Sequence, residues 1–292
     1  IVFGDWSSDV CSSDLVVYVI DITGHEETIY DGEAISVSNK DGSRVLKRGL
    51  YISTADGILA LRGRTYEKMK SFKWNDRPLG MVSSKDGGAV YALTQKSGKL
   101  LSINTASFDS KSLLKVKDGS SDIVFDSAEE RAYILNSQKD RIEVYAPGKQ
   151  KLLKTIPTGS MPSKAVVTED SKYLYVTERL DGTLSRIDLK TGKRDLTVKA
   201  GLSPYGLVMS KDESRLYVTD TTRDKVLIFD TKTCNLLKEI STGRSPYGIL
   251  LDPKGEKLFV TNRLSDSVSV IDTKLDKRSE ERRVGKECRS RW

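Results

Sequence analysis

The chain has 292 residues, with 48 Lys and Arg against 41 Asp and Glu, one histidine and a formal net charge of +7. No apolar run approaches the roughly 20 residues of a membrane helix. One histidine, His25, rules out multi-histidine copper, iron or zinc centres, and no Walker loop, G-x-S-x-G elbow or C-x-x-C-H haem site occurs.

In chain order, residues 1–15 and 278–292 stand apart from the rest. Asp5 to Leu15, DWSSDVCSSDL, resembles a translated short-read sequencing adapter, and Arg278 to Trp292, RSEERRVGKECRSRW, resembles its partner in another frame. A natural serine-rich leader and basic tail are the alternative. Excluding both leaves 16–277 as the expected folded body, a gene fragment truncated at both ends. Cys234 is then its one cysteine, with no intramolecular disulfide, and Trp74 its one tryptophan. The two excluded ends cancel in charge, so +7 stays with the body. That excess is modest, compatible with anionic polymers but no evidence of them.

Within the body, Val16 to Asp21 reads as a third strand and Glu26 to Tyr30 as a fourth. Full repeats follow, the first of them irregular between Glu33 and Tyr51. The clearest is Ser203 to Arg244. Gly206 to Ser210 is a short apolar run, Lys211 to Ser214 a polar turn, and Leu216 to Thr219 a β-branched and aromatic strand. Val226 to Asp230 and Leu236 to Thr242 are the next two strands, and Gly243 ends the unit. No window holds a 3.6-residue period long enough for a helix. The second-strand aromatic recurs at Tyr91, Tyr133, Tyr175, Tyr217 and Phe259, each 42 residues after the last. Pro78, Pro162, Pro204 and Pro246 open units, with Ser120 in the one gap. The last unit, Ser245 to Asp272, lacks a fourth strand.

Four strands in about 42 residues is the signature of a propeller blade, which needs neighbours to bury its two apolar faces. The fold class is therefore all-β, a β-propeller of four-stranded blades. About six blades' worth is expected here, in a parent of seven. The second strands read LYVTE (174–178), LYVTD (216–220) and LFVTN (258–262), with SPYG before and IDT or FDT after. With these motifs the chain resembles the YVTN β-propeller repeat family, less closely at AYILN (132–136) and VYALT (90–94). The resemblance implies a non-catalytic scaffold that binds a protein, small molecule or polymer at one rim. It also implies an extracytoplasmic setting, either periplasmic, secreted or cell-surface.

The connections from second to third strand are expected together at that rim. Their candidate ligand-binding residues are Thr94, Asn136, Glu178, Arg179, Asp220, Arg223, Asn262 and Arg263; hairpin capping by Asn and Asp is the competing role. No catalytic residue, metal ligand or cofactor is assigned. An enzymatic role stays open: a lactonase-like site would draw on Glu178, Asp220, Arg179 and Arg223, whereas a quinone-dependent dehydrogenase usually has tryptophan-rich blades. The Pro-Tyr-Gly triplets at 204–206 and 246–248 are read as turns between blades, and Asp188, Asp230 and Asp272 as Asx-turns. His25 and Cys234 are read as exposed turn residues. The basic aromatic stretch Arg62 to Arg77 could bind nucleic acid through Lys68, Lys70 and Lys73. It is read instead as edge protection, and nucleic acid is not the expected partner.

Overall fold

The computed structural model describes residues 20–21, 36–38, 44–46, 49–54, 56–62, 68–252 and 254–283. His25, Glu26 to Tyr30, Cys11 and Cys288 fall outside the described residues, as does Tyr66 in the basic aromatic stretch. Among the described residues no helix is long and apolar enough to cross a membrane.

The chain begins with β1 (Ile20–Asp21), the short hairpin β2 (Ser36–Ser38) and β3 (Arg44–Leu46), then β4 (Gly49–Ser53), β5 (Gly57–Arg62) and β6 (Lys68–Lys73). Five successive four-strand sheets follow. The first blade is β7 (Pro78–Ser83), β8 (Ala89–Thr94), β9 (Lys99–Asn104) and β10 (Ser110–Lys115). The second is β11 (Ser120–Phe125), β12 (Ala132–Asn136), β13 (Arg141–Ala146) and β14 (Lys151–Pro157). The third is β15 (Pro162–Val167), β16 (Tyr173–Glu178), β17 (Thr183–Asp188) and β18 (Lys193–Lys199). The fourth is β19 (Pro204–Met209), β20 (Arg215–Asp220), β21 (Lys225–Asp230) and β22 (Leu236–Ser241). The fifth is β23 (Pro246–Leu251), β24 (Lys257–Asn262), β25 (Ser267–Asp272) and β26 (Lys277–Arg283). Strand order within each follows chain order, so this is an all-β propeller with five four-stranded blades.

The count corrects the expectation of six. Before the five blades lies one more four-stranded sheet, β1-β4-β5-β6, but it is not a repeat of the same construction. Its outer member is two residues long and reaches β4 across the intervening β2–β3 hairpin, pairing Ile20 with Tyr51. Ile20-Asp21 is thus the partner of a second-type strand rather than the end of a third. The fifth blade corrects a second expectation. Its fourth strand is present as β26, with Arg278 opposite Ile271 and Arg283 opposite Ser267. It runs into the tail segment set aside from the sequence, and its composition of Lys, Arg, Ser and Glu throughout suits an edge strand.

The described chain divides into two compact units. One holds the residues up to Ile123 with Glu129–Ala132 and Tyr145–Leu152. Its core is Tyr51, Ile58, Ala60, Phe72, Met81, Val90, Ala92 and Ile103, with Trp74 and Phe108 packed against it. The other holds Val124–Ala128, Tyr133–Val144 and the residues from Leu153 onward. There Leu174, Val176, Leu216, Val218, Leu258 and Val260 are all fully buried. β16 and β20 show no alternation of buried and exposed residues, because both of their faces meet a neighbouring blade, whereas β24 of the last blade alternates, with Lys257 and Thr261 exposed.

The 42-residue aromatic has a specific task. Tyr175 donates its hydroxyl to the carbonyl of Thr231 in the next blade, 2.7 Å away, so at this repeat the aromatic ties blade to blade as well as filling the core. Cys234 lies in that same turn and is buried, not exposed, in contact with the Tyr175 and Phe229 core. A left-handed backbone (φ 56°) turns its side chain inward, and burial pushes the thiol up from its usual range. The turns between first and second strands form a second tie. Glu213, at φ 56°, accepts the Glu169 N–H at 2.6 Å, and Ser171, at φ 54°, accepts that of Ser127 at 3.1 Å.

Short turns carry a pH dependence. Asp86, Asp170 and Asp212 each accept a hydroxyl two residues upstream, from Ser84, Thr168 and Ser210, all at 2.6 Å. Those bonds hold the three carboxyls below the usual range. A carboxyl lowered by folding stabilises the protein above its unfolded value near 4, and that contribution fades as pH falls through the folded value. The melting temperature is therefore expected to drop below about pH 4. Asn at these three positions keeps the turns but flattens the profile, which a series of thermal melts between neutral and acid pH checks.

Candidate functional site

The hairpins joining second and third strands lie beside the crossovers that lead from one blade to the next. In the third blade the Arg179 N–H bonds the Met161 carbonyl at 3.0 Å, and in the fourth the Thr221 N–H bonds that of Ser203 at 3.1 Å. In the fifth, Arg263 bonds Ser245 at 2.9 Å. Each crossover therefore roofs the hairpin next to it.

That roof decides where the expected ligand-binding residues go. Thr94, Asn136, Glu178, Asp220 and Asn262 are all buried, none more than 2% exposed. Glu178 accepts the Gly159 N–H at 2.7 Å, the Thr183 hydroxyl at 2.6 Å and the Ser185 hydroxyl at 2.8 Å, with Arg194 at 3.3 Å. Asp220 accepts the N–H groups of Leu202, Ser203 and Thr222 at 3.0 to 3.2 Å, with Arg223 at 3.9 Å. Asn136 meets Glu143 at 3.4 Å and accepts the Lys139 N–H at 3.1 Å. Thr94 bonds Ser97 and both main-chain atoms of Lys99. In that first blade the latch runs the other way: Asp76, on the crossover, accepts the N–H groups of Lys96 and Ser97 at 2.7 and 2.8 Å. Burial works against its charge, but hydrogen bonds from Ser97, Lys96 and Thr94 outweigh it and hold the carboxyl below the usual range.

Close packing explains the repeated crossover glycine. A Cβ on Gly159, Gly201 or Gly243 would stand 2.4, 2.0 or 2.5 Å from Asp181, Asp220 or Ser265, and Gly201 also sits at φ +105°. The unit-ending glycine makes room for the latch.

Asn262 is the variant latch. Its Nδ2 donates to Ser267 at 3.0 Å and to Ser269 at 2.9 Å, leaving Oδ1 as the one buried side-chain acceptor without a partner among the described residues. The corresponding positions in the two preceding blades carry carboxylates, and Arg278 stands in β26 where Arg194 stands in β18, opposite Ile271 and Ile187 respectively. Asn262→Asp lets both hydroxyls donate and is expected to raise stability by about 1 kcal/mol at neutral pH, read as a higher urea midpoint at unchanged slope.

Outward on this edge lie arginines and aromatic rings, interspersed with the exposed Asp181 and Asp266. Arg223 and Arg263 are exposed and Arg179 is half-buried. Tyr205 and Tyr247 stack with ring centroids 3.7 Å apart and planes 25° from parallel. The Arg179 guanidinium lies over the Tyr205 ring at 6.0 Å and that of Arg263 over the Tyr247 ring at 5.9 Å. Arg179 is held there by Nε, which donates to Ser203 Oγ at 3.0 Å.

The tyrosines belong to the Pro-Tyr-Gly triplets, which the structure places inside first strands instead of turns. Pro204 pairs with Asp220 and Pro246 with Asn262, followed by register shifts. Proline is tolerated because each opens its strand. Two features bring the rings together. Thr219 Oγ1 accepts the Gly206 N–H at 2.7 Å and donates to the Tyr247 carbonyl at 3.1 Å, as Thr177 Oγ1 donates to the Tyr205 carbonyl at 2.8 Å. This is the threonine of the LYVTE and LYVTD strands. Gly206 then lets the Tyr247 main chain pass: a Cβ there would lie 2.4 Å from the Tyr247 carbonyl oxygen. The stack went unread in the sequence, although Tyr205 and Tyr247 hold one repeat position in adjacent blades.

The turn aspartates do as expected: Asp188, Asp230 and Asp272 accept main-chain N–H groups two or three residues on, at 2.7 to 2.9 Å. Lys68, Lys70 and Lys73 lie on β6, and all three are exposed. Among the described residues no three His, Cys, Asp or Glu side chains gather as a metal site.

A family model described as YNCE-like beta-propeller matches residues 117–283, more than half of the chain. The chain belongs to the YNCE-like beta-propeller family. The YVTN-type resemblance read from the repeats is thereby borne out. No curated protein matches the sequence. Among solved structures, this propeller is similar to Kuenenia stuttgartiensis hydrazine synthase, at 17% identity and TM-score 0.56, covering 85% of this chain and 100% of that one. It is similar to a nidogen/laminin complex at 16% identity and TM-score 0.66, covering 80% and 93%. A functionally unknown protein from Desulfotomaculum acetoxidans DSM 771 matches at 16% identity and TM-score 0.63, covering 74% and 71%. At these identities the likeness is one of fold.

Proposed function

We propose that this propeller is a non-catalytic binding module that presents the hairpin–crossover edge of its third to fifth blades to a ligand. The observation that carries this reading is the division of labour at that edge. Glu178 and Asp220, the carboxylates a hydrolase would need as general base, are buried and saturated by main-chain amides, hydroxyls and arginines. Outward lie Arg179, Arg223, Arg263 and the tyrosine pair, groups suited to recognition. An extracytoplasmic setting is part of the proposal and rests on the YVTN resemblance.

The test is calorimetric binding to the purified chain beside assays of lactone hydrolysis and quinone-dependent dehydrogenation. Binding without turnover, weakened by substitutions at the three arginines, is the expected result. Turnover that disappears in folded Glu178→Gln or Asp220→Asn variants would overturn it. Fractionation of cells expressing the intact gene tests the setting, and recovery in the cytoplasm alone counts against it.

A further inference from the structure

We infer that Arg179 and Arg263, set over the stacked Tyr205 and Tyr247, form a paired receptor for an extended acidic peptide; this rests on the binding-module reading above. The geometry fixes what kind of ligand the four side chains can take. Each tyrosine has one face closed by the other ring, 3.7 Å away, and a guanidinium carbon about 6 Å from its centroid. A nucleobase or sugar cannot enter between the two rings. What the arrangement offers is guanidinium N–H groups, preorganised by contact with the rings.

Arg179 spends its Nε on Ser203 and keeps its two terminal nitrogens for a planar acid group. Arg263 is exposed. Of the neighbouring arginines, Arg244 donates to the Leu264 carbonyl at 2.9 Å, and Arg223, its side chain half-exposed, lies 3.9 Å from Asp220 and flanks the pair. The two guanidinium carbons can be no farther apart than the sum of the three stacking distances. Carboxylates on one face of an extended peptide recur every ~7 Å, so a pair at i and i+2 or at i and i+4 falls within that bound.

Charge density argues the same way. Asp181, which accepts the Ser160 N–H at 2.8 Å, and Asp224, which accepts that of Ser245 at 2.7 Å, lie on the same hairpins, and Asp266 is exposed beside Arg263. These carboxylates confine favourable contact with an acid group at this edge to the outward guanidiniums.

Titration calorimetry of the full chain with hexaglutamate tests the inference, with inorganic phosphate, glutarate and oligothymidylate as the other arms. Hexaglutamate is expected to bind more tightly than the other three. Arg179→Gln and Arg263→Gln should each weaken it about tenfold and the pair about a hundredfold. Arg179→Lys, which keeps the charge and loses the fork, should restore only part. Unchanged affinity in the folded double variant overturns the site. Tighter binding of oligothymidylate overturns the ligand class, as does equal binding of phosphate or glutarate. Hexaglutamate failing while another ligand binds at the three arginines sinks this inference and leaves the binding module standing. Turnover lost on substitution of Glu178 or Asp220 sinks both.

Discussion

Gly206→Ala is expected to cost about 3 kcal/mol of stability and to separate the tyrosine pair. Gly206 sits where the main chain of the next blade passes, and an added Cβ meets the Tyr247 carbonyl oxygen at 2.4 Å, Ile249 Cγ2 at 2.8 Å and Thr219 Oγ1 at 2.9 Å. Two of these belong to β23 and the third to the strand that braces it. The carbonyl is main chain and cannot rotate aside, so relief requires β23 to move away from β19. That movement stretches the Thr219 bond to the Tyr247 carbonyl and pulls the rings beyond 3.7 Å. A urea melt reads the stability, and near-ultraviolet circular dichroism reads the aromatic contact. Gly248→Ala is the control. Its Cβ would find Thr261 Oγ1 at 3.0 Å and nothing else nearer than 3.9 Å, so a shift of one side chain absorbs it and the loss should stay below about 1 kcal/mol. Equal costs at the two glycines would remove close approach as the cause.

The repeat made the second and third strands of the blades legible, because their apolar, β-branched positions recur at a fixed interval. It did not reveal which side of each strand the rest of the chain covers. Glu178, Asp220 and Asn262 end their strands beside the hairpin tip, yet they are buried because a crossover from the preceding blade lies over them. Nothing local to the LYVTE motif signals that roof; the signal is Gly159, Gly201 or Gly243, one unit earlier, spaced to let the acid in. Cys234 was misplaced for a related reason. A turn position is exposed by default, but a left-handed backbone there swings the side chain under its own sheet. Pro204 and Pro246 look like turn residues until a first-strand opening is considered, where the missing N–H costs no ladder bond.

The buried carboxylate of Glu178 should be the most costly side chain to remove on this edge. Glu178→Ala is expected to destabilise the protein by about 4 kcal/mol. It strands the Gly159 N–H, the Thr183 and Ser185 hydroxyls and one arm of Arg194, all of which now converge on the two carboxylate oxygens at 2.6 to 3.3 Å. Gly159 has little room to turn elsewhere, since even an added Cβ would meet the Asp181 and Glu178 carboxyl groups at 2.4 and 2.7 Å. Glu178→Gln separates charge from shape. One amide oxygen still accepts a hydroxyl while the NH2 faces a donor, so the loss should fall between the wild type and the alanine variant. The expected ranking in chemical unfolding is wild type, then Gln, then Ala. If Glu178 were instead held ready for a ligand, its removal would leave stability nearly untouched and act on binding or turnover alone. A saturated latch and a poised catalytic base therefore predict opposite patterns from the same two substitutions.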